Sequence, residues 1–284
     1  MLSYLDAIIL GIVEGLTEFL PVSSTGHLTI TEKLLGLKVD DPGVTAYTAI
    51  IQLGAIVATL IYFRHDIVRL IVAWVQGLKG GPAREAHDYQ LAWAVIVGSI
   101  PVGIVGFLAR DLISGPLRSL WVVAGALIIW SGAMWLAESR YAMLERHDRT
   151  RGEGAVTLKD GLFLGLVQCL SLIPGVSRSG ATISAGLFRG LDRVTATRLS
   201  FFMAIPALTA AGLFQAVEES SNLELLGIGQ MAVGIVVSFV VAYASIAWLL
   251  KFVAGHKITA FVWYRVALGV VLIVLLGAGA ISAT

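Results

Sequence analysis

Two carboxylates, several hydroxyls and an imidazole stand close together in an otherwise apolar stretch near the start of the chain. The stretch runs from Glu14 to His27 and reads EGLTEFLPVSSTGH. A charged group at bilayer depth costs about 2.5 kcal/mol or more, so such residues normally face a cavity or a partner and mark a functional site. We therefore predict that residues 14–27 form half of an active site.

The two carboxylates, Glu14 and Glu18, are four residues apart, so on a helix they lie on one face about one turn from each other. Like charges this close oppose each other's ionisation, which suits a general base or a pair of metal ligands. The alternative is a pair of structural carboxylates that bridge helices. We favour the functional interpretation because a structural bridge seldom requires two acids within one turn at this depth.

A cluster of hydroxyls and an imidazole follows Pro21: Ser23, Ser24, Thr25, Gly26 and His27. Serine and threonine here are ordinary helix N-caps, but a helix N-terminus also attracts anions, and a hydroxyl beside a base can act as a nucleophile. His27 is near enough to orient, protonate or attack a phosphoryl group, or it could be a hydrogen-bonded packing residue.

A second polar break occurs at residues 174–182, which read PGVSRSGAT. Arg178 keeps its charge and its planar fork matches phosphate oxygens, although it could instead neutralise Glu14 or Glu18. We predict that one break is catalytic and that the other binds an anion.

The elements that position these residues must be membrane helices. Of the 284 residues, 57% are hydrophobic and 14% charged, and the mean hydropathy is +0.85. This composition excludes a soluble globular domain and predicts a polytopic membrane protein. The net charge of +1, without a basic stripe, argues against a nucleic-acid partner, and the single cysteine excludes a disulfide framework.

Six stretches are apolar over the roughly 20 residues that a membrane-spanning helix needs: 44–63, 91–110, 118–137, 196–217, 228–251 and 259–281. Residues 4–36 and 158–190 are each interrupted by proline and polar residues, which is tolerated at membrane depth only beside protein or a wet cavity. We predict an all-α integral membrane protein with six transmembrane helices and two re-entrant helical hairpins.

The two hairpins resemble each other at an offset of 160 − 6 = 154 residues, which pairs Asp6 with Asp160, Ser23 with Ser177 and Gly26 with Gly180. The same offset places Gln168 and Leu172 opposite Glu14 and Glu18. We predict a single membrane domain, 1–284, with a first repeat at 1–140 and a second at 155–284. Each repeat has one hairpin, 4–36 or 158–190, and three spans. An odd number of spans per repeat means that the second repeat starts from the opposite side of the membrane and is inverted. The site is expected where the two breaks meet.

Lysine and arginine predict the orientation, because they are enriched in cytoplasmic loops. The segments 64–90, 138–159 and 251–258 carry most of these residues, whereas the 218–227 loop holds Glu218, Glu219 and Glu224 and no basic residue. We therefore expect the first hairpin to enter from the outer face and the second from the cytoplasm.

EGLTEFLPVSSTGH and PGVSRSGAT resemble the two signature motifs of the bacterial undecaprenyl-diphosphate phosphatase family, also called the bacitracin-resistance family, as does the segment IQLGAI at 51–56. The resemblance implies a bacterial inner-membrane enzyme that removes one phosphate from undecaprenyl diphosphate, with its site facing the periplasm and a divalent cation, Mg²⁺ or Ca²⁺, assisting. It implies that the lipid carrier is recycled for cell-wall synthesis.

The motif matches assign roles to individual residues. The acidic pair is Glu14 and Glu18, which would hold the metal. The catalytic residues are Glu18, Ser24, His27 and Arg178, and the substrate-binding residues are Ser23, Thr25, Gly26, Ser177, Ser179, Gly180 and Thr182. One position departs from the family, which often has an acid before IQLG where this chain has Tyr47-Thr48-Ala49.

Our hypothesis is that Glu18, directly or through His27, deprotonates Ser24 for attack on the terminal phosphoryl group while Arg178 holds the diphosphate. Attack by His27 or by water remains open at this point, and a monomer and a homodimer are both compatible with the sequence. The alternative function is a lipid-phosphate transporter or flippase that uses the same two hairpins without hydrolysis. Arg265 is a weaker candidate for a residue that lines the cavity.

Overall fold

The computed structural model describes residues 2–39, 41–114, 117, 119–218 and 226–283, and the regular structure in these ranges is helical. The α-helices are, in chain order, α1 Tyr4–Thr17, α2 Ser24–Leu34, α3 Pro42–Tyr62, α4 Arg64–Leu78, α5 His87–Leu108, α6 Arg110–Ser114, α7 Leu120–Glu145, α8 Leu158–Gln168, α9 Arg178–Phe188, α10 Arg193–Glu218, α11 Ile228–Gly255 and α12 Thr259–Gly277. Short 3-10 turns occupy Gly81–Arg84, Glu153–Ala155 and Cys169–Leu172. The predicted all-α class is confirmed for the described ranges.

Six of these helices are long and apolar enough to cross a bilayer, namely α3, α5, α7, α10 as far as Gly212, α11 and α12. The predicted number of spans is confirmed, and the chain is a multi-pass membrane protein. The third span differs from its predicted bounds of 118–137, because α7 continues to Glu145. Its last turns are polar, so they lengthen the helix without adding to the apolar signal.

The 64–90 segment, predicted to be a cytoplasmic loop, contains α4. Val68, Ile71, Val72 and Val75 of this helix are exposed and recur at helical spacing on one face. An apolar stripe on a helix with a charged first turn is the pattern of a helix that lies against lipid. The segment escaped prediction because it is too polar overall to count as a span.

The three lysine- and arginine-rich segments, 64–90, 138–159 and 251–258, meet on one side of the protein, which we call the basic face. Arg69 forms ion pairs with Asp88 and Glu153 at 2.8 Å each, which joins the first segment to the second. The backbone N–H of Ile258 donates to Oε2 of Glu138 at 3.1 Å, which joins α7 to the turn before α12.

The opposite face brings together the two chain ends and the short connections. Lys33 donates to the carbonyl of Ser282 at 2.8 Å, and the N–H of Leu120 donates to the carbonyl of Ala283 at 2.9 Å. The 218–227 loop is predicted to lie on the outer side of the membrane. Its acidic residues Glu219 and Glu224, and the side chain of Glu218, lie outside the described residues.

The two short helices α1 and α8 start on opposite faces and begin in the same way. Ser3 and Asp6 form a capping box at the start of α1, and Thr157 and Asp160 form one at the start of α8, 154 residues later in each case. At about 1.5 Å per residue, helices of 14 and 11 residues reach only about 21 and 16 Å, less than the roughly 30 Å of a hydrocarbon core. Neither helix alone is long enough to cross it.

Glycine contacts hold each short helix against a long one from the other half of the chain. A Cβ on Gly11 would lie 2.9 Å from the carbonyl of Gly234 in α11, and a Cβ on Gly165 would lie 2.1 Å from that of Gly98 in α5. Gly11 and Gly165 are equivalent at the 154-residue offset. Small residues allow this close approach, as is common between membrane helices.

Asp160 is fully buried at the basic face and differs in this respect from its equivalent, Asp6. Burial alone would raise the pKa of Asp160, but hydrogen bonds from Arg151, Arg189 and Thr157 outweigh burial and hold that pKa below its ordinary value. The start of α8 is thus fixed by buried charge, whereas Asp6 at the start of α1 is bonded to Ser3 in its capping box.

Candidate active site

The acidic pair lies at the inner end of α1. Glu14 is 2% exposed, and Glu18, which caps the helix after Thr17, is 7% exposed. Gly15 determines how deeply this end is packed, because a Cβ there would lie 2.6 Å from the carbonyl of Ser238 in α11. The charged groups nearest to Glu14 are Glu18 of the same break and Arg178 of the other break. The two predicted breaks therefore lie close together.

The helices that follow the breaks start with the same unusual backbone. Ser23 before α2 has φ of 78° and Ser177 before α9 has φ of 75°, a region that residues other than glycine rarely occupy. Strain of this kind persists where the surrounding contacts impose it and is concentrated at functional sites. The two serines are equivalent at the 154-residue offset, so a left-handed serine precedes the second helix of both breaks.

Both first helical residues contact the same carboxylate. Oγ of Ser24 donates to Oε2 of Glu18 at 2.6 Å, and Nη2 of Arg178 donates to Oε1 of Glu18 at 3.3 Å. Ser24 and Arg178 are themselves equivalent positions in the two breaks. Glu18 therefore lies between a hydroxyl from one hairpin and a guanidinium from the other.

Direct hydrogen bonds join the two breaks around this carboxylate. The N–H of Gly175 donates to Oγ of Ser23 at 3.2 Å, and Oγ of Ser179 donates to the carbonyl of Leu20 at 3.0 Å. Gly175 has φ of 101°, and a Cβ there would lie 2.5 Å from the carbonyl of Val123, so only glycine fits.

Arg265 holds both breaks from behind. Its guanidinium donates to the carbonyl of Pro21 at 3.1 Å, to the carbonyl of Gly175 at 2.8 Å and to Oγ of Ser131 at 3.2 Å. The residue has no exposed surface, so it does not line an open cavity as the sequence suggested it could. Instead it satisfies backbone carbonyls that the helix breaks leave without partners.

His27 is engaged away from Ser24. Its Nδ1 lies 2.7 Å from the carbonyl of Ser23, which can only accept, so Nδ1 carries a proton. In the neutral ring Nε2 then accepts from the phenol of Tyr264 at 2.6 Å. The structure brings Glu18 directly to Ser24, and His27 does not relay between them.

The remaining predicted binding residues fall into two groups. Thr25 is exposed, and Gly26 is buried with Val123 3.0 Å from where a Cβ would lie. The hydroxyls of the second break are instead occupied by protein partners: Oγ of Ser177 accepts from the N–H of Gly180, Ser179 reaches Leu20, and Thr182 reaches Oγ of Ser200 at 2.6 Å.

Two buried polar atoms at the site have no hydrogen-bond partner in the described part of the chain: Oε1 of Glu14 and Nε of Arg178. Leaving such atoms unsatisfied is costly, so they indicate where a ligand belongs. A carboxylate oxygen would accept a cation and a guanidinium N–H would donate to an anion. Within the described residues, no group of three or more carboxylate, imidazole or thiolate side chains is close enough to hold a metal by itself.

Comparison with known proteins places this arrangement in a family. The family model described as bacitracin resistance protein BacA matches residues 7–271. The chain belongs to the BacA family. The undecaprenyl-diphosphatase 3 of Frankia casuarinae is 56% identical over 285 residues and is covered in full, as is this chain. The undecaprenyl-diphosphatase of Cutibacterium acnes is 53% identical over 290 residues, with 99% of this chain and 100% of that protein covered.

An undecaprenyl-diphosphatase 1 of Streptomyces avermitilis is 54% identical over 278 residues, covering 98% of each chain. The family resemblance drawn from the two motifs is therefore confirmed. The segment Tyr47-Thr48-Ala49 before IQLG has no carboxylate, and Tyr47 is fully buried and donates to the carbonyl of Ala7 at 3.0 Å.

Sequence reasoning missed one residue of this BacA-family site and misjudged another. Tyr264 is 237 positions from His27 and lies in a span that otherwise looks like an ordinary lipid-facing helix. The neighbouring Arg265 gave a signal, since an arginine within a span is rare and normally has a partner inside the protein. Its partners are backbone carbonyls, which no side-chain motif identifies.

Proposed function

We propose that this chain is a phosphatase that hydrolyses undecaprenyl diphosphate to undecaprenyl phosphate and inorganic phosphate, which recycles the lipid carrier for cell-wall synthesis. The observation that carries the proposal is the contact of Ser24 Oγ with Glu18 at 2.6 Å, with Arg178 on the other oxygen of the same carboxylate. A hydroxyl bonded to a base, beside a fixed cation, is an arrangement for phosphoryl transfer. The activity named for the relatives agrees with it.

In the first step Glu18 takes the proton of Ser24 as Oγ attacks the terminal phosphorus. The Oγ–P bond forms and the anhydride O–P bond breaks, so undecaprenyl phosphate leaves and a phosphoserine remains. Arg178 stabilises the negative charge on the transferring group, which is the main contribution proteins make to phosphoryl transfer. Its unpartnered Nε gives it a donor for a phosphate oxygen while Nη2 still contacts Glu18.

In the second step water attacks the phosphoserine. Glu18 has by then given the proton from the first step to the departing undecaprenyl phosphate. It takes a proton from the attacking water, the P–Oγ bond breaks, and Glu18 passes that proton to Oγ of Ser24. Inorganic phosphate is released and the starting state is restored. We assign the attack to Ser24 rather than His27 because both ring nitrogens of His27 are engaged, with Ser23 and Tyr264.

The two helix starts complete the anion site. Ser23 does not cap α2, since its hydroxyl accepts from Gly175 on the other hairpin. The first N–H groups of α2 therefore remain to bind a phosphate, and the positive end of the helix dipole favours the negative charge. Ser177, Ser179, Gly180 and Thr182 support the opposite side by fixing the start of α9.

We also propose that a divalent cation, Mg²⁺ or Ca²⁺, assists. Glu14 and Glu18 would hold it, and the unpartnered Oε1 of the buried Glu14 fits this role. Two protein carboxylates suit Mg²⁺, which usually keeps water and binds substrate phosphates for its other ligands. When bound, the ion neutralises phosphate charge.

The architecture that we infer for this site is a pair of re-entrant hairpins in an inverted repeat. Its support is the paired capping boxes, the paired left-handed serines and the equivalent glycine contacts of α1 and α8. The basic face, which lies away from the start of α1, would face the cytoplasm by the positive-inside rule, so the first hairpin would open to the periplasm.

The test is phosphate release from undecaprenyl diphosphate by the purified chain in detergent, where no sidedness exists. Wild type should release phosphate, a chelator should suppress release and added Mg²⁺ or Ca²⁺ should restore it. Ser24→Ala should abolish release and a trapped phosphoenzyme should map to Ser24. Phosphate release by Ser24→Ala at the wild-type rate would exclude the serine route, and no release by wild type would favour a transporter.

A further inference from the structure

A groove on the outside of the protein lies far along α7 from the helix breaks, between the last turns of α7 and the start of α12. Its volume is about 380 Å³, and its walls include Trp135 and Arg146 from α7 and Lys257 and Trp263 from the start of α12. The tryptophans are 54% and 72% exposed, which is unusual for side chains of this size. The groove is part of the basic face and shares no residue with the phosphatase site.

Both walls of the groove have the same order of side chains. Trp135 and Arg146 are 11 residues apart, which is three helical turns, so they lie on one face of α7 about 16 Å from each other. On the other wall Lys257 precedes α12, and Trp263 lies one turn inside it. Each wall therefore has an aromatic ring toward the membrane interior and a cation toward the aqueous side.

The acidic residue that lines the groove does not cancel these cations. Glu138 is 3% exposed and pairs with Arg193, and its second oxygen accepts the N–H of Ile258. Within the described residues, Arg146 and Lys257 have no ion-pair partner. The groove thus presents two uncompensated positive charges above two exposed indole rings.

We propose that this groove binds an anionic phospholipid of the surrounding leaflet. The phosphate would lie between Arg146 and Lys257, and the first acyl carbons would pack on Trp135 and Trp263. Tryptophan is enriched at the membrane interface, and basic pockets between membrane helices on the cytoplasmic side bind anionic headgroups. A free phosphate would use the cations but leave the indole rings unexplained, so the lipid is the better fit to the whole groove.

Native mass spectrometry of the purified chain with defined lipids tests the proposal without using enzymatic turnover. Wild type should retain phosphatidylglycerol in preference to phosphatidylcholine. The double variant Arg146→Ala/Lys257→Ala should lose this preference by roughly tenfold, since each basic residue near an anionic surface contributes on the order of a fewfold in binding. Arg146→Lys/Lys257→Arg keeps both charges and should retain the lipid.

The matched control is Arg140→Ala/Lys251→Ala, which removes the same charge from exposed positions outside the groove. It should bind phosphatidylglycerol like wild type. An equal loss in the control would contradict a local site, as would the absence of any preference in wild type. Displacement by millimolar inorganic phosphate would indicate a phosphate site, and a dimer lost only in the groove variant would indicate that a second copy covers it. Either result would overturn the proposal.

All these variants should release phosphate from undecaprenyl diphosphate like wild type, because the groove lies apart from Glu18 and Ser24. Lipid binding and catalysis are therefore tested by separate readouts. Failure of the lipid preference would leave the proposed phosphatase activity intact.

Discussion

The two helix breaks share a left-handed serine and differ in their chemistry. Ser23 and Ser177 share a left-handed conformation, and the residues after them, Ser24 and Arg178, both reach Glu18. At the positions equivalent to Glu14 and Glu18, the second break has an amide and a leucine. Equivalent positions therefore carry a hydroxyl beside two carboxylates in the first break and a guanidinium in the second, and these charged groups lie where the breaks meet.

The two breaks also differ in how they are held. The hydroxyls of the second break bond to Leu20, Ser200 and their own helix, whereas Ser24 and Thr25 of the first break stay partly accessible. Hydroxyls that bond to protein fix geometry, and hydroxyls that remain accessible can meet substrate. This difference agrees with a catalytic first break and a supporting second one.

The largest effect is expected when glutamine is introduced at two equivalent positions, one in each break. Glu18→Gln should lower phosphate release by about 10³-fold or more, because it removes the base bonded to Ser24 and the charge facing Arg178. Leu172→Gln places the same residue at the equivalent position of the second break and should change release by less than about threefold. Phosphate release assays on both purified variants check this, and comparable losses would remove the distinction between the breaks.

The next largest effect is expected for the residue that holds both breaks. Arg265→Met should lower the free energy of unfolding by about 3 kcal/mol or more, because it leaves the buried carbonyls of Pro21 and Gly175 without donors. Thermal unfolding of the purified chain in detergent measures the change. Arg265→Lys should recover only part of it, since an ammonium cannot reproduce the planar fork. An unchanged melting temperature in Arg265→Met would contradict this role.

A smaller difference should separate the starts of the two short helices. Asp160→Asn should lower the free energy of unfolding by about 2 kcal/mol, because Arg151 and Arg189 lose a buried counter-charge. Asp6→Asn, at the equivalent position, should cost less than about 1 kcal/mol, since only a capping box is weakened.

The sign of the pH dependence follows from the lowered pKa of Asp160. A depressed pKa in the folded state gives stabilisation that is present above the ordinary value of 3.8 and is lost as the pH falls below it. The difference between Asp160→Asn and wild type should therefore shrink under acid conditions. Melting temperatures at several pH values measure it, and a constant difference would contradict the assignment.

The smallest effect concerns His27, which has an alanine, Ala181, at its equivalent position in the second break. Tyr264→Phe removes only the O–H that donates to Nε2 of His27, so release should fall by about three- to tenfold, the range of one hydrogen bond. The melting temperature should stay close to that of wild type. His27→Gln should lower release at least as much, and combining the two changes should add little beyond His27→Gln. Additive losses would show that Tyr264 acts independently of the ring.

Much of this protein was predictable because the signals are local. Six long apolar runs predict six spans, since a helix must satisfy its own backbone in lipid. Charged and hydroxyl residues within apolar runs predict Glu18, Ser24 and Arg178 as one site, because buried charges need partners. Helix α4 was not predicted, because its apolar stripe is balanced by charges that lower its hydropathy.

The sequence by itself determined the spans, the two breaks and the chemical types of their residues, since each depends on composition over a few turns. Only the tertiary structure decided that Glu18 bonds directly to Ser24, that His27 turns to Tyr264 and that Arg265 bonds to both breaks. These contacts join helices that are far apart in sequence. Their geometry depends on the distance between packed helices, which at several glycines leaves no room for a Cβ. No periodicity along one helix encodes the distance to another.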